Sequence, residues 1–163
     1  MKIFKLILFI VGTLAVLGST IQQAEAVLTG AGTIGFSGTG NITQNGGENT
    51  LNFNTPLNVS FTIGDYVGAA GSQATVHSIT WTGSGASATL VGGPINPLWL
   101  TELDSSHFSR FRLDSLTSVI FDSNSLTLVG EGITLIHSAA GFGTPPARIT
   151  ITRHWRGFFL HVS

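Results

Sequence analysis

The sequence predicts an all-β protein: an antiparallel β-sandwich or jelly-roll-like domain of about ten short strands, placed after an N-terminal signal helix. Three observations carry that expectation. Apolar and polar residues alternate over short runs, the pattern of strands with one buried and one wet face. Clusters of Gly, Asn, Ser and Pro separate those runs at regular intervals. The composition is also unusual, with 21 Gly and only 9% charged residues against 42% hydrophobic ones. An ordinary soluble domain is about a quarter charged, so Ser, Thr, Asn and Gly must cover most of this surface. Beyond the leader nothing repeats at a helical period, which argues against a bundle. Disordered chains are charge-rich and poor in β-branched and aromatic residues, and this chain is neither. A formal net charge of −1 over 163 residues disfavours a nucleic-acid partner.

The leader occupies residues 1–26. Lys2 and Lys5 precede an apolar run from Leu6 to Leu17, and Gly18 and Ser19 then loosen the helix. Ala24-Glu25-Ala26 places small residues at the two positions a signal peptidase reads, so cleavage is expected after Ala26. The run is shorter than the roughly 20 residues that cross a bilayer as a helix, and no later segment is long and apolar enough for a stable membrane span. The expected product, residues 27–163, is one secreted domain without lysine. Its five arginines (Arg110, Arg112, Arg148, Arg153 and Arg156) stand against seven acids. Without cysteine, stability must come from the core and the sheet ladders rather than from disulfides.

Residues 28–47 are nearly all Thr, Gly, Ser, Ala and Asn, with Ile34, Phe36 and Ile42 as apolar anchors for an edge strand or hairpin. The clearest alternation is Leu57-Asn58-Val59-Ser60-Phe61-Thr62-Ile63, which predicts that Leu57, Val59, Phe61 and Ile63 share a buried face. Further runs fall near 74–81, 86–91, 98–103, 108–113, 116–121, 126–129, 133–137, 148–152 and 158–162. Trp81 and Trp99 sit in stretches that read as core. Between Leu126 and Leu135 the apolar parity changes, from Leu126 and Leu128 to Ile133 and Leu135. A bulge at Gly130–Gly132 inside one long, bent strand accounts for the change better than a turn does.

From about residue 94 onward the order of features resembles a family of small secreted bacterial proteins, the PEP-CTERM (exosortase-sorted) type. The matching features are Pro97-Leu98-Trp99, then Phe111-x-Leu113-x-Ser115-Leu116-Thr117, then Leu126-Thr127-Leu128-Val129-Gly130-Glu131-Gly132, then Gly141-Phe142 with Pro145 and a closing β segment. Such a resemblance implies an extracellular or cell-envelope protein of bacterial origin, linked to biofilm matrix, and carries over no catalytic residue. The chain departs from the family at Phe158-Phe159-Leu160-His161-Val162-Ser163, where no Pro-Glu-Pro tail follows. A member without the C-terminal sorting tail is expected.

Few residues point to chemistry. Gly30-Ala31-Gly32-Thr33-Ile34-Gly35 spells the dinucleotide-binding pattern, but that mechanism needs a strand before it and a helix after it, and neither is readable. The set Asp104-Ser105-Ser106-His107 reads as a polar loop, because neighbours in a strand or turn do not converge as a triad does. Glu102 and Asp104 on one strand face, as a carboxylate pair or with Asp114 or Asp122 around a calcium ion, read first as solvated surface. His137, His154 and His161 lie on strands expected to be near one another and are the weak candidates for zinc.

Arg153-His154-Trp155-Arg156-Gly157 is the sharpest surface feature, expected to connect strands 148–152 and 158–162. A Trp between arginines suits stacking on a sugar ring or gripping an anion, so Trp155, Arg153 and Arg156 are the candidate ligand contacts. The alternative is that Trp155 folds back onto the core while the arginines solvate the turn. No catalytic residue, metal or cofactor is expected. The chain reads as a secreted, non-enzymatic structural or adhesive surface protein, its partners being itself through an edge strand at 28–43, or extracellular polysaccharide. The alternative function is a carbohydrate-binding module using the Trp155 loop.

Overall fold

The alternating runs become thirteen strands and no helix among the residues described by the computed structural model, which are 32–163 except 67–68, 105–106, 123–124, 139–140 and 155–156. The leader expected at residues 1–26 lies outside them. In chain order the strands are β1 Gly32–Gly38, β2 Gly40–Asn45, β3 Glu48–Phe53, β4 Leu57–Gly64, β5 Gln73–Val76, β6 Ile79–Thr82 and β7 Thr89–Leu90. They continue with β8 Ile95–Asp104, β9 His107–Asp122, β10 Ser125–Ser138, β11 Gly141–Gly143, β12 Pro146–His154 and β13 Gly157–Val162. The all-β expectation holds. The expectation of short strands fails at β9, which runs for 16 residues and merges two of the expected runs, while the 14 residues of β10 are the long strand expected around Gly130–Gly132.

Two antiparallel sheets form. The larger has the order β11-β10-β12-β13-β1-β4-β5-β8-β9, and β9 also pairs with β10, so eight of its strands make a closed circuit of hydrogen-bonded neighbours. The smaller is β2-β3-β6-β7. One long hairpin passes from one sheet to the other. β1 and β4 pair in the large sheet, β2 and β3 pair in the small one, and the chain bends at Thr39 and Asn54. At that bend the Asn54 backbone N–H donates to the Thr39 carbonyl at 2.8 Å, and its side-chain amide donates to Thr39 Oγ1 at 2.9 Å. The far end of the hairpin is a two-residue turn in which Gly46 (φ 58°) and Gly47 (φ 89°) both occupy the left-handed region. Matching turns favour glycine there because they follow the right-handed strand twist.

The core is a single cluster fed by both sheets. Within the circuit, Trp99 lies 5.0 Å from Phe36 and stacks at 6.4 Å on Phe111, and all three are fully buried. Such aromatic pairs add about 0.5–1.5 kcal/mol each beyond the area they bury. Trp81 of the small sheet stacks at 6.1 Å on Phe121 of β9, and Gly85 bridges to Val119, so the outer half of β9 carries the small sheet. Trp81 and Trp99 are thus core, as their surroundings predict.

Three register details correct the sequence reading. Gly130–Gly132 lies inside one long strand, as expected, but β10 itself keeps its parity: Leu126, Leu128, Gly130, Gly132, Thr134 and Ile136 all face inward. The bulges are on β9, whose pairing with β10 skips Thr117 and Asp114. They press the β9 backbone against β10. A Cβ on Gly132 would stand 1.8 Å from the Arg112 carbonyl oxygen, and one on Gly130 would stand 2.7 Å from that of Ser115. Glycine is therefore what lets the bulged strand approach. The third detail is in β4, where the register shifts opposite Gly35 and Phe36 and leaves Ser60 as the extra residue. Leu57 and Val59 are buried, but Phe61 and Ile63 are 43% and 61% exposed.

Candidate functional site

The expected ligand loop belongs to the β12–β13 hairpin. His154 pairs with Gly157, so strand pairing reaches into the expected 153–157 connection from both sides. Arg153 is consequently a strand residue, half-buried and paired with Leu126 on one side and Phe158 on the other. Trp155 and Arg156 lie outside the described residues.

The other expected groupings fall apart on register. His137 pairs with Phe108, His154 with Ser125, and His161 with Thr150, which itself faces Val129. Measured along β10, those three positions are 137, 125 and 129, so at about 3.3 Å per residue the first is remote from the other two. Gly32 to Gly35 lie within β1, and no strand-to-helix turn for a pyrophosphate forms there. Asp104 and His107 are paired ends of β8 and β9, joined through 105–106. The β8–β9 register shifts between Glu102 and Asp104. Asp114, at one bulge of β9, accepts hydrogen bonds from Arg112 at 2.6 and 3.1 Å. The carboxylate holds the Arg112 guanidinium above its ordinary value, first through that hydrogen bond and then through charge. Asp122 is at the far end of the same strand. Among the described residues, no three His, Asp or Glu side chains converge as a metal-binding group.

Register also makes a feature that the sequence reading missed. Ser115, Glu131 and Arg148 face one another across β9, β10 and β12. With Asp114 and Pro146 they line an open groove of about 590 Å³. Its wall carries two acids and one base, which suits hydrogen bonding to a polar ligand, but among the described residues no aromatic side chain lines it for stacking. Cross-strand pairing of the charged positions 131 and 148 was the available signal, and it needed the β10–β12 register.

The expected edge at 28–43 is corrected in part. β1 is interior, paired with β13 on one side and β4 on the other. β2 is the edge: among the described residues it pairs with β3 alone. Its sequence, Gly40-Asn41-Ile42-Thr43-Gln44-Asn45, contains neither charge nor proline, the two usual guards of an exposed edge. The opposite border of that sheet, β7, is two residues long. Exposed apolar side chains lie elsewhere. Phe61 covers Gly35, where a Cβ would stand 2.0 Å from its ring, and Ile120 and Phe121 end β9.

No family model, curated protein or solved structure matches this chain. The functional reading therefore rests on the geometry of these surfaces.

Proposed function

We propose that this chain is a secreted, non-enzymatic structural or adhesive protein that works by pairing a strand edge, with its two sheets as the layers of a β-sandwich. Export through residues 1–26, with cleavage after Ala26, places it in the extracellular or cell-envelope setting that the PEP-CTERM-type resemblance implies. One observation carries the reading: the six-residue, uncharged, proline-free edge of β2. Eight strands of the larger sheet close a circuit, whereas among the described residues β2 pairs with β3 alone and keeps a row of donors and acceptors directed outward. Unprotected edges of this kind are templates for another strand. Sedimentation of the exported chain over a broad concentration range, with and without an extracellular polysaccharide mixture, tests it. Concentration-dependent association without sugar is expected. A persistent monomer that co-sediments with polysaccharide overturns the reading.

That second outcome belongs to the alternative, a carbohydrate-binding module contacting ligand through Trp155, Arg153 and Arg156. What supports it is the composition of that segment, a Trp between arginines. Trp155→Ala then abolishes co-sedimentation and leaves the melting temperature unchanged.

A further inference from the structure

We infer that the partner of the β2 edge is the β2 edge of a second copy, paired antiparallel about a two-fold axis at Ile42, so that two four-stranded sheets become one continuous sheet. This deepens the edge-pairing reading and rests on it.

The register follows from the hairpin. In a two-residue turn the flanking residues, here Asn45 and Glu48, exchange both backbone hydrogen bonds, and bonded pairs then alternate along the ladder. Residues 45, 43 and 41 therefore direct their N–H and C=O toward β3. The geometry one step further agrees, since Asn54 N–H donates to Thr39 O. Gly40, Ile42 and Gln44 must direct theirs outward. In an antiparallel self-pair the residue on the two-fold faces itself, and only a centre at Ile42 matches every outward group. Ile42 then faces the partner's Ile42, Gly40 faces the partner's Gln44, and Gln44 faces the partner's Gly40. Each of these pairs exchanges two hydrogen bonds.

The side chains support the same centre. On the core face, Ile79, Leu51 and Ile42 form one cross-strand row, with Ile79 and Leu51 fully buried and Ile42 half-buried at the border. The partner's Ile42 completes that row and removes the remaining apolar surface from water. On the outer face, Asn41 meets the partner's Thr43 in a close, non-hydrogen-bonded pair. The two polar side chains carry no charge, so self-pairing brings no like charges together. Because the contact is isologous, growth stops at two copies rather than running on as a fibre. The interface is small, so the dimer dissociates on dilution.

Sedimentation velocity of the full chain as exported, across a broad concentration range, is the test, with two variants. Gln44→Pro removes an outward N–H while sparing the β2–β3 ladder, and its melting temperature checks the fold. It is expected to weaken the dimer about tenfold or more. Asn41→Lys with Thr43→Glu places opposite charges in both cross-copy pairs only if Ile42 is the centre, and is expected to tighten the dimer in a salt-sensitive way. A largest species of two copies, weakened by the first variant and tightened by the second, supports the inference. Association that continues past two copies overturns the Ile42-centred dimer while leaving edge assembly standing, and association that ignores both variants overturns pairing at the β2 edge itself. A monomer at every concentration overturns both.

Discussion

The glycine at position 132 offers the sharpest test of how this fold is built. In the Gly132→Ala variant the new Cβ would stand 1.8 Å from the Arg112 carbonyl oxygen and 2.8 Å from the Phe111 ring. A carbon and a carbonyl oxygen normally approach no closer than about 3.3 Å, so β9 and β10 must separate locally by about 1.5 Å. That displacement acts on backbone, next to the paired residues Ile133 and Arg112, and cannot be absorbed by a side-chain rotation. Overpacking costs about 1–3 kcal/mol, and each ladder hydrogen bond loosened adds about 0.5–1.5 kcal/mol. The stiffer unfolded chain returns only about 0.4–1 kcal/mol. Loosening two such bonds gives a net loss of about 1–5 kcal/mol, and for a domain of this size the melting temperature falls by roughly 3–5 °C per kcal/mol, so by at least about 3 °C and by about 10 °C near the middle of that range. Differential scanning calorimetry of Gly132→Ala measures it. Gly46→Ala is the contrast, because its Cβ meets nothing within 4 Å and only the φ of 58° is strained, which costs about 1–2 kcal/mol. Gly130→Ala falls between, since one of its near contacts is the flexible Leu113 side chain. A Gly132→Ala melt within a couple of degrees of the parent refutes the close approach of the bulged β9 backbone.

Other outcomes follow from the buried groups. Tyr66 is 3% exposed and its hydroxyl donates to Thr134 Oγ1 at 3.2 Å. Burial raises its ionisation above the ordinary 10.0; Asp65 adds to the rise and the Thr134 hydrogen bond opposes it. Below pH 10 folded and unfolded chains are both protonated and that stability is fully present. As pH climbs toward the raised folded value the unfolded chain loses its proton first, so stability falls. The chain has one tyrosine, so tyrosinate absorbance reports Tyr66 alone; a folded-state midpoint at or below 10 refutes the assignment. Thr134→Val is expected to cost about 1–3 kcal/mol by orphaning the phenol, and adding Tyr66→Phe to recover most of it, measured by denaturant titration as a double-mutant cycle. Phe36→Ala empties the ring position beside Trp99 and is expected to cost about 3–5 kcal/mol, with loss of the near-ultraviolet tryptophan signal. A Phe36→Ala protein with unchanged stability would show that the aromatic cluster does not hold the circuit together.

Much of the fold was legible because strand formation is a local matter of alternation. Leu126 and Leu128, Phe111 and Leu113, and Ile149 and Ile151 are buried partners on strands where the period-two pattern put them. Trp81 and Trp99 were readable as core for the same reason. The parity of Ile133 and Leu135 misled, because Gly130 and Gly132 occupy inward positions that an apolar count passes over. Phe61 and Ile63 misled similarly, since nothing in their own strand announces the extra residue at Ser60. The candidate edge was half legible: low charge and absent proline mark residues 28–43 as a region able to pair, but which half is already paired depends on β13 and β4.

By itself the sequence determined the all-β class, most of the strand-forming runs and most of the buried side chains. Each of these is set by neighbours one to three residues away in the chain. The tertiary structure alone decided that β9 carries the bulges, that eight strands close a circuit, that His137, His154 and His161 stay apart, and that β2 is left with an open edge. Those outcomes are register relations between strands distant in sequence. Register is fixed by the fit of backbone against backbone, as where the β9 carbonyls meet Gly130 and Gly132, and no short window of residues contains both sides of such a contact.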